Sequence, residues 1–112
     1  MQTKEAIGAL AALAQESRLA VFRLLVQVGP AGLAATKIAE QLGIPQSSLS
    51  FHLKELTHAE LIAPRQDGRF VIYTANFTTM NALLAFLTDS CCSGIPCSTM
   101  APVGCASDKA LV

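Results

Sequence analysis

The sequence predicts a mainly α-helical domain with one small β-hairpin, arranged as a winged helix-turn-helix. Two short segments of helical apolar periodicity flank Gly43, which suits the tight turn of a helix-turn-helix. Further on, Asp67-Gly68 can supply the positive backbone angles of a hairpin turn between two strand-like segments. At 112 residues the chain has the size of one domain, and its 52% hydrophobic content exceeds what so small a monomer buries. We therefore expect one domain that oligomerises.

The first two helices are predicted over residues 3–14 and from Ser17 to residue 28. Apolar residues recur at helical spacing on one face of the first helix: Ile7, Leu10, Ala11 and Ala14. A helix this short needs a packing partner. Ser17 is a suitable N-cap for the second helix, and Gly29-Pro30 is a strong terminator. The second helix is expected to turn four apolar side chains inward: Val21, Phe22, Leu25 and Val28.

The third and fourth helices make up the predicted helix-turn-helix. The third covers residues 36–42 and ends at Gly43, with its apolar side chains buried: Ile38, Ala39 and Leu42. Pro45 suits the first turn of the fourth helix, because the N–H that proline lacks has no helical partner there. This helix is expected to extend to about Glu60, with an apolar stripe of three leucines on its inner side: Leu49, Leu53 and Leu56.

The hairpin and a last helix complete the predicted domain. Two strands, over residues 61–65 and 69–73, enclose the turn Gln66-Asp67-Gly68 and form the wing. Asn76 can cap the last helix, which carries many apolar side chains: Phe77, Met80, Leu83, Leu84, Phe86 and Leu87. Because these residues cover too much of the circumference for a lone surface helix, we expect this helix to pack against a second subunit.

The cysteines divide the chain into a domain over residues 1–89 and a flexible cysteine-containing tail over residues 90–112. All four lie in the tail: Cys91, Cys92, Cys97 and Cys105. Disulfides that compensate for a thin core would be spread through the fold, so metal binding or redox chemistry in a reducing cytosol is the better prediction.

The sequence predicts a cytoplasmic protein with no membrane partner. The longest charge-free stretch of the domain, residues 70–88, is interrupted by polar residues and does not resemble a spanning helix. Near the start, Glu5 beside Lys4 and an alanine-rich helix disfavour a secretory signal.

The segment 38–62 (IAEQLGIPQSSLSFHLKELTHAELI), followed by 65–69 (RQDGR) and Tyr73, resembles the ArsR/SmtB family of metal-responsive winged-helix repressors. The likeness covers about residues 17–87, and its specific parts are Gln46-Ser47, the Ser-x-His-Leu run at 50–53 and the two arginines of the wing. The resemblance implies a homodimer, built from the first and last helices, that sits on double-stranded operator DNA and leaves it when metal binds. It also implies a protein that is not an enzyme and has no organic cofactor.

Two metal sites that occur in the family are missing from this sequence. The family's Cys-x-Cys pair entering the third helix would fall near Ala34 and Thr36, and neither is a ligand. The zinc site of the last helix needs paired Asp and His residues, of which only Asp89 is present. What remains is Cys91-Cys92 with Cys97, which resembles a subgroup with C-terminal arsenic sites.

The chemistry of three thiolates agrees with that resemblance. Soft sulfur ligands select thiophilic ions, and As(III) or Sb(III) prefers three sulfurs in a pyramid, whereas structural zinc takes four ligands. Cys105 could complete four-coordination or take no part. We therefore expect As(III) or Sb(III) as the inducer ion. Cadmium, lead or zinc sensing and a thiol-based redox switch remain as alternatives that use the same cysteines, and an incidental tail is the remaining one.

The candidate DNA-reading face lies on the fourth helix. A helical wheel places five residues opposite the apolar stripe: Ser47, Ser50, Phe51, Lys54 and His58. Gln46, at the N-terminal edge, can pair with adenine, serines can serve bases or phosphate, and Phe51 could cover a thymine methyl or lie in the core. The predicted DNA-contacting residues of the whole chain are Lys37, Gln46, Ser47, Ser50, Phe51, Lys54, Arg65 and Arg69.

The two wing arginines, Arg65 and Arg69, flank the predicted turn and are expected to meet phosphate or the minor groove, a merely solvated hairpin being the alternative. His52 is expected to satisfy a local hydrogen bond, and His58 to be exposed. Because residues 37–73 contain four basic and four acidic side chains, we expect DNA binding to depend less steeply on salt than it does for strongly basic repressors.

Two rival functions fit the cysteines but not the rest of the sequence. A small arsenate reductase or thiol oxidoreductase would use Cys91 or Cys97 as its nucleophile, and a metal chaperone would bind the ion without DNA. The chain has neither a Cys-x-x-Cys pair opening a helix after a strand nor a phosphate-binding loop. The helix-turn-helix and the wing disfavour both rivals.

Overall fold

The computed structural model describes residues 1–89, so the predicted tail with its four cysteines lies outside the described residues. The elements follow one another as α1 (Thr3–Leu13), α2 (Glu16–Val28), a 3₁₀ turn (Gly29–Ala31), β1 (Leu33–Ala34), α3 (Ala35–Leu42), α4 (Gln46–His58), β2 (Ile62–Asp67), β3 (Phe70–Ala75) and α5 (Phe77–Leu87). This is the predicted mainly helical fold with a wing, and each predicted helix is present.

The core lies where α2, α3 and α4 meet the start of the sheet. Its most deeply buried large side chains are Val21, Leu25, Ile38, Leu49, Leu56, Leu61 and Ile62. The predicted leucine stripe of α4 is confirmed, since none of its three residues is more than 4% exposed. Burying each such side chain contributes about 1.5–3 kcal/mol, so the stripe fixes the orientation of α4 on the domain.

The inner face of α1 differs from the predicted face. The residues that α1 buries are Ala6, Ala9 and Ala12, whereas Ile7 is 61% exposed and Leu10 is 42% exposed. Small side chains let the α1 backbone lie close to α2 and α4, with which it is in contact. Ile7 and Leu10 therefore face away from the described domain, whereas Leu13 at the end of α1 packs against the core.

The start of α2 also corrects the sequence prediction. Ser17 lies inside the helix, and the N-cap is Gln15, whose side-chain oxygen accepts a hydrogen bond from the backbone N–H of Arg18 at 3.0 Å. The Arg18 Nε donates to the Ala12 carbonyl at 2.6 Å and so ties the end of α1 to the start of α2. The end of α2 is as predicted, because Gly29 leaves the helix with a φ of +85°.

The helix-turn-helix has the predicted turn and slightly shorter helices. Gly43 ends α3 in the left-handed conformation with a φ of +65°, as its position predicted. Pro45 is the N-cap of α4 rather than its first residue, and the helix ends at His58, two residues before the predicted Glu60. Glu60 itself has a φ of +63°, which makes the sharp reversal from α4 into β2.

The wing is part of a three-stranded antiparallel sheet in the order β1-β3-β2. The sequence prediction missed β1, whose residues Leu33 and Ala34 pair with Tyr73 and Ile72. Asp67 pairs with Phe70 in the register of β2 and β3. The hairpin turn is therefore Gly68-Arg69, shifted toward the C-terminus from the predicted three-residue turn.

The last helix, α5, begins as predicted at Asn76, whose Oδ1 accepts a hydrogen bond from the Thr79 N–H at 3.2 Å. Leu83 is buried, whereas Leu84 is 45% exposed and Leu87 is 54% exposed. Like α1, with which it is in contact, α5 thus presents large apolar side chains outward. Among residues 1–89, no helix is long and apolar enough to cross a membrane.

Candidate DNA-binding surface

The outer face of α4 carries the predicted reading residues together. Each of these side chains is exposed, opposite the buried leucine stripe: Gln46, Ser47, Ser50, Phe51 and Lys54. Phe51 is 56% exposed, so the alternative that it belongs to the core is wrong. The face combines amide, hydroxyl, aromatic and ammonium groups, which can contact base edges, thymine methyl groups and phosphate.

The N-terminus of α4 adds backbone donors to this surface. Pro45, the N-cap, makes no side-chain capping bond in the described part of the chain. The N–H groups of the first helical turn have no partner within the helix, and the helix dipole makes this end positive. A DNA phosphate is a suitable acceptor for such N–H groups, which is why helix N-termini often bind anions.

The lysines on this side of the domain are solvent-exposed. Lys37 on α3 lies 3.9 Å from Glu40, and both side chains are at least 63% exposed. An exposed pair of this kind contributes about 0–1 kcal/mol, so it leaves Lys37 free to exchange its partner for phosphate. Lys54 follows Phe51 by nearly one turn on the exposed face of α4.

The two predicted wing arginines occupy different environments. Arg69 is in the hairpin turn and makes no hydrogen bond or ion pair with the residues that the structure describes. Arg65 lies within β2, opposite Ile72, and its Nη2 donates to the Ala31 carbonyl at 3.2 Å. The prediction that both flank the turn is therefore wrong for Arg69, which lies in it.

The structure adds Phe70 to the wing residues considered from the sequence. Phe70 is 58% exposed beside the turn, and strand alternation places it on the same face of the sheet as Ile72 and Arg65. The register pairs Phe70 with Asp67 directly beside the turn, at the end of the hairpin that is farthest from the Ile62–Ala75 pair.

The two histidines differ in their surroundings. His52 has a buried Nδ1 that makes no hydrogen bond with any residue between 1 and 89, so the predicted local bond is absent at this atom. Its ring meets the edge of Phe51, with centroids 5.8 Å apart and planes at 63°. His58 is exposed at the end of α4, as predicted.

Within residues 1–89, no three His, Cys, Asp or Glu side chains are grouped as metal ligands. The predicted ligands Cys91, Cys92 and Cys97, and the candidate Cys105, lie outside the described residues. Their role remains a prediction from the sequence.

Comparison with known proteins gives the family. A helix-turn-helix domain family matches residues 13–65, which include α2, α3 and α4. The arsenical resistance operon repressor of Bacillus subtilis is 35% identical over 81 residues, which cover 72% of this chain and 73% of that protein. The chain belongs to the ArsR family of transcriptional regulators.

Two other relatives of this ArsR-family chain match it over only part of their own length. A candidate arsenical resistance operon repressor of Halobacterium salinarum is 36% identical over 86 residues, 75% of this chain and 64% of that protein. The nodulation protein NolR of Rhizobium meliloti is 31% identical over 84 residues, 75% of this chain and 66% of that protein. The chain thus spans slightly less than two thirds of these two relatives.

Solved structures of similar proteins have the same fold. An ArsR-like transcriptional regulator from Rhodococcus superposes with a TM-score of 0.68 at 26% identity, over 75% of this chain and 76% of that one. A homodimeric winged helix-turn-helix DNA-binding domain from Mycobacterium bovis superposes at 0.63 with 24% identity, over 82% and 85%. The winged helix-turn-helix fold of this ArsR-family chain is therefore confirmed.

Proposed function

We propose that this chain is a cytoplasmic DNA-binding repressor that acts as a homodimer and releases its operator when As(III) or Sb(III) binds Cys91, Cys92 and Cys97. The observation that carries the DNA-binding part is the outer face of α4, which is polar, exposed and held in place by three buried leucines. Gln46, Ser47 and Ser50 would contact bases from this face. Lysine and arginine side chains around it would contact phosphate: Lys37, Lys54 and Arg69.

A homodimer would place two copies of α4 on one face of a duplex. Two recognition helices about 34 Å apart reach successive major grooves, so a symmetric pair of half-sites is the expected operator. The exposed leucines and isoleucine of α1 and α5 support a second copy as the partner of these helices. The homodimeric state of the Mycobacterium bovis domain agrees with this arrangement.

The donor set supports a thiophilic inducer. Three thiolates match the three-sulfur preference of As(III) and Sb(III), and two relatives are named for arsenical resistance. Cys105 would add a fourth sulfur or take no part. The segment that carries these thiols follows α5 directly, so ion binding there would alter the end of a dimer helix. A coupling of about 1–3 kcal/mol between ion and DNA is expected for such a switch.

Cadmium, lead or zinc sensing and a redox switch are the alternatives, and one experiment separates them. DNA affinity of the metal-free protein is measured by fluorescence anisotropy on a duplex that the same protein has selected from a random library. Arsenite, antimonite, cadmium, zinc and hydrogen peroxide are then added separately. We expect arsenite and antimonite to weaken DNA binding by about 5- to 150-fold.

Serine variants assign the response to individual thiols. Cys91→Ser, Cys92→Ser and Cys97→Ser should each abolish the arsenite response and keep the metal-free affinity. Cys105→Ser, in the same segment, decides the role of the fourth thiol: an unchanged response means that it takes no part, and a weakened response means that it is a ligand. Equal affinities with and without arsenite would end the arsenic proposal. A response to cadmium, zinc or peroxide alone would select the corresponding alternative.

A further inference from the structure

The face of the wing that carries the side chains of Ile72 and Thr74 is in contact with the segment that precedes β1. A Cβ on Gly32 would lie only 2.6 Å from the Tyr73 carbonyl oxygen and 2.7–2.8 Å from the Cγ2 atoms of Thr74 and Ile72. Gly32 also has a φ of +70°. The 3₁₀ turn is in contact with β3, and a residue with a side chain in place of Gly32 would require β3 or the turn to move.

Arg65 also contacts the 3₁₀ turn, although it lies on β2, at the opposite edge of the sheet from β1. It lies opposite Ile72, so its side chain emerges on the face that Ile72 and Thr74 share. Since β3 separates β2 from β1, the guanidinium must cross β3 to donate to the Ala31 carbonyl at 3.2 Å. Within residues 1–89, this is the only side-chain hydrogen bond that joins β2 to a part of the domain outside the hairpin.

We propose that Arg65 is a positioning residue, which fixes the wing against the 3₁₀ turn, and that Arg69 supplies the wing's contact with DNA phosphate. The sequence predicts the same role for the two arginines. In the structure only Arg69 lies in the turn, where its side chain makes no hydrogen bond or ion pair with residues 1–89. This division of roles rests on the proposed DNA-binding function. On this proposal, the orientation of the wing depends on the hydrogen bond from Arg65 to the Ala31 carbonyl of the same subunit.

Salt dependence distinguishes the two roles. A side chain that binds phosphate displaces a counterion, so its loss lowers the slope of log affinity against log salt by about 1. A side chain that only orients the wing changes how often the free protein has the binding-competent wing, while Arg69 still reaches phosphate in the complex, so its loss lowers affinity at every salt concentration by the same factor. We expect Arg69→Ala to reduce the slope by about 1 per subunit, and Arg65→Ala to weaken binding with less than half that change in slope.

Gly32→Ala tests the same contact without altering any charge. It should weaken DNA binding with an unchanged slope, as Arg65→Ala does. Tyr73 provides a measurement that needs no DNA, because it is the only tyrosine, the chain has no tryptophan, and it lies in β3. We expect time-resolved anisotropy to show faster local motion of Tyr73 in Arg65→Ala and Gly32→Ala, and no change in Arg69→Ala.

Each outcome decides the proposal. If Arg65→Ala lowers the salt slope as Arg69→Ala does and leaves Tyr73 unchanged, Arg65 is a phosphate ligand and the proposal is wrong. The same conclusion follows if Arg65→Ala changes neither measurement. If the wild-type chain binds no DNA, the proposed function fails, and the anisotropy of Tyr73 still decides whether Arg65 holds the wing. If Gly32→Ala does not fold by circular dichroism, Arg65→Ala and Arg69→Ala remain as the deciding pair.

Discussion

Phe51 is an apolar ring at the centre of an otherwise polar surface. It is 56% exposed between Ser50 and His52, and the edge-on contact with the His52 ring limits the directions in which it can point. An aromatic side chain in this position is suited to the methyl group of thymine, which is the main apolar feature of the major groove. Phe51 is therefore the residue of this surface whose contribution should depend most on thymine.

Phe51→Ala should weaken binding to the selected duplex by about 5- to 10-fold, near the lower end of what one mismatched base pair costs. It should leave the free energy of unfolding within about 0.5 kcal/mol of wild type, because the side chain is exposed. Fluorescence anisotropy and urea denaturation measure the two effects.

Uracil in place of thymine provides the control, because it removes only the methyl group. If the ring contacts that methyl, one thymine-to-uracil change should weaken wild-type binding and have no further effect on Phe51→Ala. If every such change affects wild type and variant equally, Phe51 does not contact thymine.

At the scale of helices and strands, the N-cap of α2 is not the residue type that is preferred at this position. Gln15 caps the helix, although Ser17 two residues later has the preferred side chain. The bond from Arg18 to the Ala12 carbonyl explains the choice, because it fixes the short link between α1 and α2. A helix beginning at Ser17 would break this arrangement.

Gln15→Ala should lower the free energy of unfolding by about 0.5–1 kcal/mol, since it removes a capping acceptor. Ser17→Ala is the matched control and should change it by less than about 0.5 kcal/mol. Urea denaturation at one fixed protein concentration measures both. A larger loss for Ser17→Ala than for Gln15→Ala would mean that α2 begins at Ser17 in solution.

Elements with strong local determinants were predictable from the sequence, and those that depend on distant contacts were not. The leucine stripe of α4, Gly43 and the Asn76 cap follow from residues close in sequence. In contrast, the two residues of β1 are too few to show any periodicity. On α1, apolar spacing could not tell the face that packs on its own domain from the face that is exposed.

The same limit applies to the candidate site. The exposed side of α4 follows from helix geometry once the leucine stripe is recognised. The partner of Arg65 does not, because Ala31 lies 34 residues away in sequence and offers only a backbone carbonyl. No pattern of residue types indicates such a bond.

At the scale of the whole molecule, the chain has no excess of positive charge to draw it to DNA. Its net charge is zero, and residues 37–73 hold four basic and four acidic side chains. Binding must therefore depend on the placement of a few cations and on the positive end of α4, duplicated by the proposed dimer. This arrangement favours short-range contacts over long-range attraction.

The affinity for the selected duplex should accordingly fall with salt at a modest slope. If Lys37, Lys54 and Arg69 of both subunits each contact one phosphate, the slope of log affinity against log salt should be no steeper than about −5 to −6. Titrations at several salt concentrations measure it. A slope near −10 would require more phosphate contacts than these cations provide and would contradict the proposed surface.

The junction between β1 and α3 has a mechanical consequence. The strand ends at Ala34 and the helix begins at Ala35, so no residue lies between them that could act as a hinge. Because β1 is also paired with β3, the hairpin and the reading helices are expected to turn as one rigid body. In the proposed dimer, ion binding to the proposed cysteine site would then change the distance between two such bodies, and not the shape of either one.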